Sequence, residues 1–123
     1  MEHLQLLDNL AFRESDPRAN PLLVNQDVRI LRWMLKPRQV ISEHAVPDSP
    51  FYVVIIQGRG MFAGADGVER EYGPMSLLLF AQGESHTVRA LEEELVFVSF
   101  MHGSESMRPD HAGGEIGRKA SME

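Results

Sequence analysis

Apolar residues along this chain recur in short runs separated by turn residues. Between residues 24 and 102, seven runs are rich in branched and aromatic side chains and are bounded by glycine, proline or polar clusters. These runs are DVRILRWML, FYVVII, MFA, VEREY, MSLLLFA, HTVRAL and LVFVSFM. No stretch in this range has the apolar periodicity of an amphipathic helix. The pattern predicts an all-β sandwich or barrel of closely spaced antiparallel strands.

The two ends of the chain differ from this middle part. Residues 1–23 mix leucines with polar residues, so a short helical turn and an edge strand both remain open there. The stretch ESDPRANP predicts a loop, because Pro17 and Pro21 are expected to end regular structure. Residues 103–123 contain few apolar side chains, which predicts a flexible tail. The sequence therefore predicts a single barrel domain at residues 24–102, preceded by an N-terminal segment.

Composition narrows the classes of function. The 123 residues are 43% hydrophobic and 24% charged, which is typical of one globular domain with its own core. A net charge of −6 argues against a nucleic-acid surface and against binding to acidic membranes. The chain has no cysteine, so disulfides, thiolate metal sites and cysteine nucleophiles are excluded. The chain has neither a bilayer-length apolar run nor a basic leader, so we expect a cytoplasmic location.

Two histidines are the candidate chemistry of the predicted barrel. His44 and His86 each lie beside a polar turn and are expected to begin a strand, where strand ends line one mouth of a small barrel. Period-two alternation turns the apolar residues of the same strands and of FYVVII towards this mouth. The pattern predicts a small-molecule pocket beneath a histidine rim, lined by Val46, Phe51, Val53, Ile55 and Val88.

The spacing around His44 resembles the first of the two short motifs of the cupin superfamily. In LKPRQVISEHAVPDSPFYVVIIQGRG, His44 stands at the first histidine position and Gly58 at the closing glycine. Val46 stands where the family has its second histidine, and Phe51 stands where it has a glutamate. Two of the four metal ligands that the family uses are therefore replaced by apolar side chains.

The second cupin motif falls on YGPMSLLLFAQGESHTVRA. Gly83 and His86 match its glycine and histidine, whereas Ala81 and Ala90 replace its proline and asparagine. The resemblance covers residues 28–102. It implies a single-domain antiparallel barrel of the jelly-roll, RmlC-like type with a degenerate metal motif.

In the family these histidine positions bind a divalent metal, so the resemblance implies His44 and His86 as metal ligands. Catalytic zinc normally has three protein ligands, and non-haem iron has two histidines and a carboxylate. Asp48, on the neighbouring turn, and His102, at the end of the last run, are candidates for the missing ligand. The expected cofactor is one divalent ion (Zn, Fe, Mn or Ni) or none. If no ion is bound, the two histidines have no metal-binding role and are hydrogen-bonded to each other or to water.

Three functions remain open. The first is a barrel that binds a small molecule with a reduced metal site, and the loss of two ligand positions favours it. The second is a metal-dependent cupin enzyme of the dioxygenase, isomerase or decarboxylase type. The third is a non-catalytic dimeric scaffold. The sequence does not decide whether a reaction is catalysed. The exposed strand edges of an open barrel and the leucine-rich N-terminal segment predict a homodimer.

Overall fold

The computed structural model describes residues 1–103, which form an all-β fold of nine strands. In chain order these are β1 (Arg18–Val24), β2 (Val28–Leu35), β3 (Val40–His44), β4 (Phe51–Gln57), β5 (Gly60–Ala63), β6 (Arg70–Tyr72), β7 (Leu77–Phe80), β8 (His86–Ala90) and β9 (Leu95–His102). Strands β2 and β4–β9 match the seven predicted runs, so the all-β prediction is confirmed. The predicted tail lies outside the described residues, apart from Gly103. Residues 1–103 contain no helix that could cross a membrane.

The strands form two antiparallel sheets that face each other. One sheet has five strands in the order β1-β2-β9-β4-β7, and the other has four in the order β3-β8-β5-β6. Most neighbouring strands come from distant parts of the chain, as in the pairs β2·β9 and β3·β8. This connectivity brings the ends of β3, β4, β7 and β8 together at one end of the barrel.

The first sheet begins earlier in the chain than the sequence predicts. Residues 18–23 were expected to belong to the segment before the barrel, but they lie in β1, which pairs with β2. The prediction that Pro21 ends regular structure is wrong. Strand β1 lies at the edge of its sheet, and the register shifts just after Pro21. Proline is tolerated at such a position because an edge strand or a bulge does not need every backbone N–H.

The core lies between the two sheets and is built from alternate residues of each strand. Trp33 of β2 stacks on Phe97 of β9 with ring centroids 5.8 Å apart, and Phe62 of β5 meets Phe97 edge-on at the same distance. The indole N–H of Trp33 donates a hydrogen bond to the buried Ser99 hydroxyl at 2.9 Å. These contacts join the middle of the five-stranded sheet to the four-stranded sheet.

The N-terminal segment covers part of the outer face of the five-stranded sheet. Arg32 points outwards from β2, and its guanidinium donates hydrogen bonds to the backbone carbonyls of Leu6 and Asp8 at 3.0 and 2.8 Å. The N–H of Ala11 contacts the sulfur of Met34 at 3.4 Å. Met34 and the outward-facing Val98 are consequently buried. Burial on both faces explains why β2 and β9 are nearly continuous runs of buried residues.

Beyond this cover, the same outer face carries an apolar row that crosses all five strands. Successive cross-strand partners in the row are Leu79, Tyr52, Phe100, Ile30 and Leu23. The two end residues, Leu79 and Leu23, are 66% and 42% exposed. The homodimer stays a prediction.

Candidate functional site

The structure brings His44 and His86 together as direct cross-strand partners. His44 ends β3, rather than beginning a strand as the sequence suggested, and it lies opposite His86, the first residue of β8. Side chains opposite each other on antiparallel strands have Cβ atoms about 4.5–5.5 Å apart. The two imidazoles therefore lie at the same end of the barrel.

A β-bulge turns His44 towards the barrel interior. Ile41 pairs with Val88 and His44 pairs with His86, so three steps along β3 match two steps along β8. In a regular strand, residues three apart point to opposite faces. The extra residue in β3 lets the buried Ile41 and His44 share a face, while Glu43 remains exposed.

Each imidazole donates its Nδ1 proton to a backbone carbonyl oxygen. His86 Nδ1 lies 3.2 Å from the carbonyl oxygen of Glu84, and His44 Nδ1 contacts the carbonyl oxygen of Ser42. A carbonyl oxygen can only accept, so in the neutral rings the lone pair is on Nε2. His44 Nε2 is buried and has no hydrogen-bond partner within the described residues. The pair thus contains one buried acceptor that is unsatisfied within the described residues.

Aromatic rings surround His86, which is only 2% exposed. Its imidazole stacks on Phe51 at a centroid distance of 4.5 Å and an angle of 9°, and it contacts Phe80 at 5.0 Å. Burial lowers the pKa of His86, and the nearby His44 acts in the same direction. The hydrogen bond to Glu84 and the charge of its carboxylate partly oppose this shift. The neutral imidazole is therefore the form that the fold favours.

The lowered pKa of His86 predicts how stability depends on pH. The unfolded chain takes up a proton near the ordinary value of 6.5, whereas the folded chain resists it. Stability is therefore retained above pH 6.5 and falls as the pH drops below it, by up to about 1.4 kcal/mol per pH unit. We expect urea unfolding to show this slope in the wild type and a flatter slope in His86→Phe. The same variant controls for carboxylates, which titrate in both proteins. Identical slopes would contradict the prediction.

Asp48 and His102, the two additional ligand candidates, do not join the histidine pair. The Asp48 carboxylate accepts a hydrogen bond from the guanidinium of Arg29 at 2.9 Å, and Arg29 Nε donates to the backbone carbonyl of His102 at 2.6 Å. The His102 side chain is exposed. Arg29 is 1% exposed and points into the barrel, so it joins the turn after β3 to the end of β9. Sequence reasoning missed Arg29 because a charged residue in an apolar run gives no sign of burial.

The side chains present do not fit the metal site that the family resemblance implies. Phe51 occupies the position of the family's glutamate, and its ring packs against His86 where a carboxylate would be needed. In residues 1–103 no group of three or more His, Asp or Glu side chains is arranged to hold an ion. Two imidazoles alone fall short of the three protein ligands of a catalytic zinc site.

The five residues predicted to line a pocket lie in the barrel core. They are between 0% and 5% exposed and pack against one another as part of the main hydrophobic cluster: Val46, Phe51, Val53, Ile55 and Val88. Phe51 is the member whose ring contacts His86. The five side chains fill the barrel interior beneath the two histidines.

An open cleft lies beside these five side chains, where the edges of the two sheets approach each other. It has a volume of about 550 Å³ and lies between β5 and β6 of one sheet and β7 of the other. Phe62, Tyr72 and Phe80 contribute aromatic walls, and Glu84 lies at its rim. Phe80 also contacts His86, so the cleft adjoins the histidine pair. The sequence could not reveal this cleft, because strand patterns do not show which sheet edges face each other.

Comparisons with known proteins agree with this architecture. No family model matches the chain, and no curated protein matches it. A double-stranded β-helix protein from Klebsiella pneumoniae superposes with a TM-score of 0.78 at 16% identity, over 88% of this chain and 96% of that chain. An RmlC-like cupin from Desulfovibrio desulfuricans gives a TM-score of 0.74 at 20% identity, over 82% and 96%.

A third similar structure is an RmlC-like cupin with a double-stranded β-helix fold from Methanocaldococcus jannaschii. Its TM-score is 0.66 at 14% identity, over 77% of this chain and 89% of that chain. At such identities the likeness concerns the fold and not the activity. It confirms the fold that the two sequence motifs implied. The chain has the RmlC-like cupin fold, a double-stranded β-helix.

Proposed function

We propose that this protein binds a small molecule at the histidine-bearing end of its barrel. The observation that carries the proposal is the buried Nε2 of His44, which has no hydrogen-bond partner among the described residues. Leaving such an atom unsatisfied costs about 1–3 kcal/mol, so a ligand N–H or O–H that reaches it recovers that free energy. His86 lies opposite and, when its ring is neutral with the proton on Nδ1, carries a lone pair on its own Nε2.

The neighbouring cleft supplies the space for the rest of the ligand. A volume of about 550 Å³ is within the usual range for small-molecule sites, roughly 300–1,000 Å³. Its aromatic walls bury apolar ligand surface, and Phe80 connects them to the imidazole of His86. Such a combination of apolar walls and a few convergent polar atoms is typical of a ligand pocket.

A metal-dependent enzyme is the second candidate function. One observation favours it. Both histidines direct Nδ1–H to a backbone carbonyl, which is the usual orientation of metal-binding imidazoles. The available ligand atoms argue against a metal site, because Phe51 replaces the family's carboxylate. Neither Asp48 nor His102 approaches the histidine pair. Metal analysis of protein purified without a histidine tag distinguishes the two functions, since stoichiometric metal would favour the enzyme.

The proposal is tested by screening a fragment library against ¹⁵N-labelled protein. We expect hits to shift the backbone amides of His86, Phe80 and Glu84. His44→Ala is expected to weaken those hits about tenfold, the effect of losing one buried hydrogen bond. His102→Ala is the matched control, because that side chain is exposed and its backbone contacts are retained. Hits that bind both variants as tightly as the wild type would overturn the role given to His44.

A further inference from the structure

We propose that the cleft between β5, β6 and β7 selects an organic cation, an amine or quaternary ammonium group on a small apolar body. The inference rests on the proposed function, because it names the ligand class for the same end of the barrel. It is carried by the aromatic walls of the cleft, a fixed carboxylate at its rim and the balance of charge around it.

The walls of the cleft present three aromatic rings from three strands. Phe62 and Tyr72 meet edge to face with centroids 6.3 Å apart, and Phe80 lies across the cleft on β7. The face of an aromatic ring carries partial negative charge and attracts a cation within about 6 Å of its centre. Several rings around one cavity are the arrangement by which proteins recognise alkylated ammonium groups.

The carboxylate of Glu84 is held at the rim by the backbone. Its two oxygens accept hydrogen bonds from the N–H groups of Ala81 and Ala65 at 2.8 and 3.0 Å. Hydrogen bonds from backbone N–H groups to both oxygens favour the ionised form of the carboxylate. A Cβ placed on Gly64 would lie 2.5 Å from Glu84 Oε2 and 3.8 Å from the ring of Phe80. The charge therefore lies beside an aromatic wall of the cleft.

The charges around the cleft leave this carboxylate without a cationic partner. Arg70 also lines the cleft, but its guanidinium pairs with Asp66 at 3.3 Å, so these two charges cancel. None of the ion pairs between described residues includes Glu84. An anionic ligand would meet the negative charge of Glu84 and would have to displace Asp66 from Arg70. A cation meets neither obstacle.

Three probes of nearly equal shape separate charge from size. They are choline, its neutral carbon isostere 3,3-dimethylbutan-1-ol and the anion 3,3-dimethylbutanoate. Titrations follow the backbone amides of Ala65 and Ala81, the two donors to Glu84. We expect choline to bind about tenfold more tightly than the neutral alcohol, and the anion to bind most weakly.

Each other outcome has a defined meaning. Equal binding of choline and the alcohol would overturn the cation preference and leave small-molecule binding intact. Tightest binding of the anion would do the same. If none of the probes shifts these amides, the inference fails, while the fragment screen still judges the proposed function independently.

Two variants test the residues assigned to the cation. Tyr72→Leu and Glu84→Gln are each expected to weaken choline binding about tenfold. Their matched controls are Tyr52→Leu, on the outer face of the other sheet, and Glu92→Gln, on an exposed turn, and neither should change it. In Glu84→Gln the neutral alcohol should bind as it does to the wild type. If Glu84→Gln weakened the binding of choline and of the neutral alcohol equally, Glu84 would only stabilise the loops around the cleft. That result would overturn its role in binding the cation.

Discussion

Replacing Gly58 by alanine is expected to lower the free energy of unfolding by about 3 kcal/mol or more. Gly58 follows β4 with a φ of +79°, a conformation that side chains with a Cβ rarely adopt. A Cβ at this position would lie 2.1 Å from the backbone oxygen of Glu94 and 3.1 Å from the Cα of Leu95. These are backbone atoms at the start of a central strand, so they cannot move aside as a flexible side chain could.

Two other glycines provide a matched control for backbone conformation alone. Gly67 and Gly83 also have positive φ, +70° and +77°, but a Cβ on either would meet nothing within 4 Å. Alanine at these positions should cost about 1 kcal/mol, the strain of the left-handed conformation. Urea unfolding followed by circular dichroism compares the three variants. If all three lose the same stability, the close approach to Glu94 is not the cause.

Trp33→Ala is expected to reduce the free energy of unfolding by about 3–5 kcal/mol, the usual cost of removing a fully buried tryptophan. Trp33 is 0% exposed and contacts two core residues of β9. It stacks on Phe97, its cross-strand partner, and its N–H satisfies the Ser99 hydroxyl. The substitution leaves a cavity between the sheets and an unpaired buried hydroxyl.

Trp33→Phe separates the contribution of ring packing from the contribution of the hydrogen bond to Ser99. Phenylalanine keeps a ring against Phe97 but cannot donate to Ser99, so a smaller loss of about 1–3 kcal/mol is expected. The double variant Trp33→Phe with Ser99→Ala should recover part of this loss, because the unpaired hydroxyl is also removed. Denaturant unfolding of the single and double variants measures this. A double variant less stable than Trp33→Phe would show that Ser99 has another role.

The sequence predicts most strands of this fold, and the two that it misses have a physical explanation. Strands β2, β4, β5 and β7–β9 are apolar enough to be recognised by their residue types, and β6 by the alternation of apolar and polar residues in VEREY. Strand β3 reads VISEH, with a single fully buried position, and its pairing with β8 depends on a distant part of the chain. Strand β1 contains Pro21, which local rules exclude from a strand and an edge position permits.

The candidate site was predictable only in part. Motif spacing identified His44 and His86, and the structure places them opposite each other. The five apolar residues predicted to line a pocket beneath them instead fill the space between the sheets. The cleft at the sheet edges was missed, because Phe62, Tyr72 and Phe80 are brought together only by the meeting of two sheets. Long-range contacts of this kind leave no local pattern.

The bulge in β3 has a consequence for how this chain is aligned with other barrels. Because the orientation of His44 depends on the number of residues after Ile41, it is determined by chain length there and not only by residue identity. Against a barrel with a regular strand, the correct alignment contains a one-residue insertion at Ser42 or Glu43. An alignment anchored at Ile41 and lacking this insertion would match His44 to a residue on the outer surface.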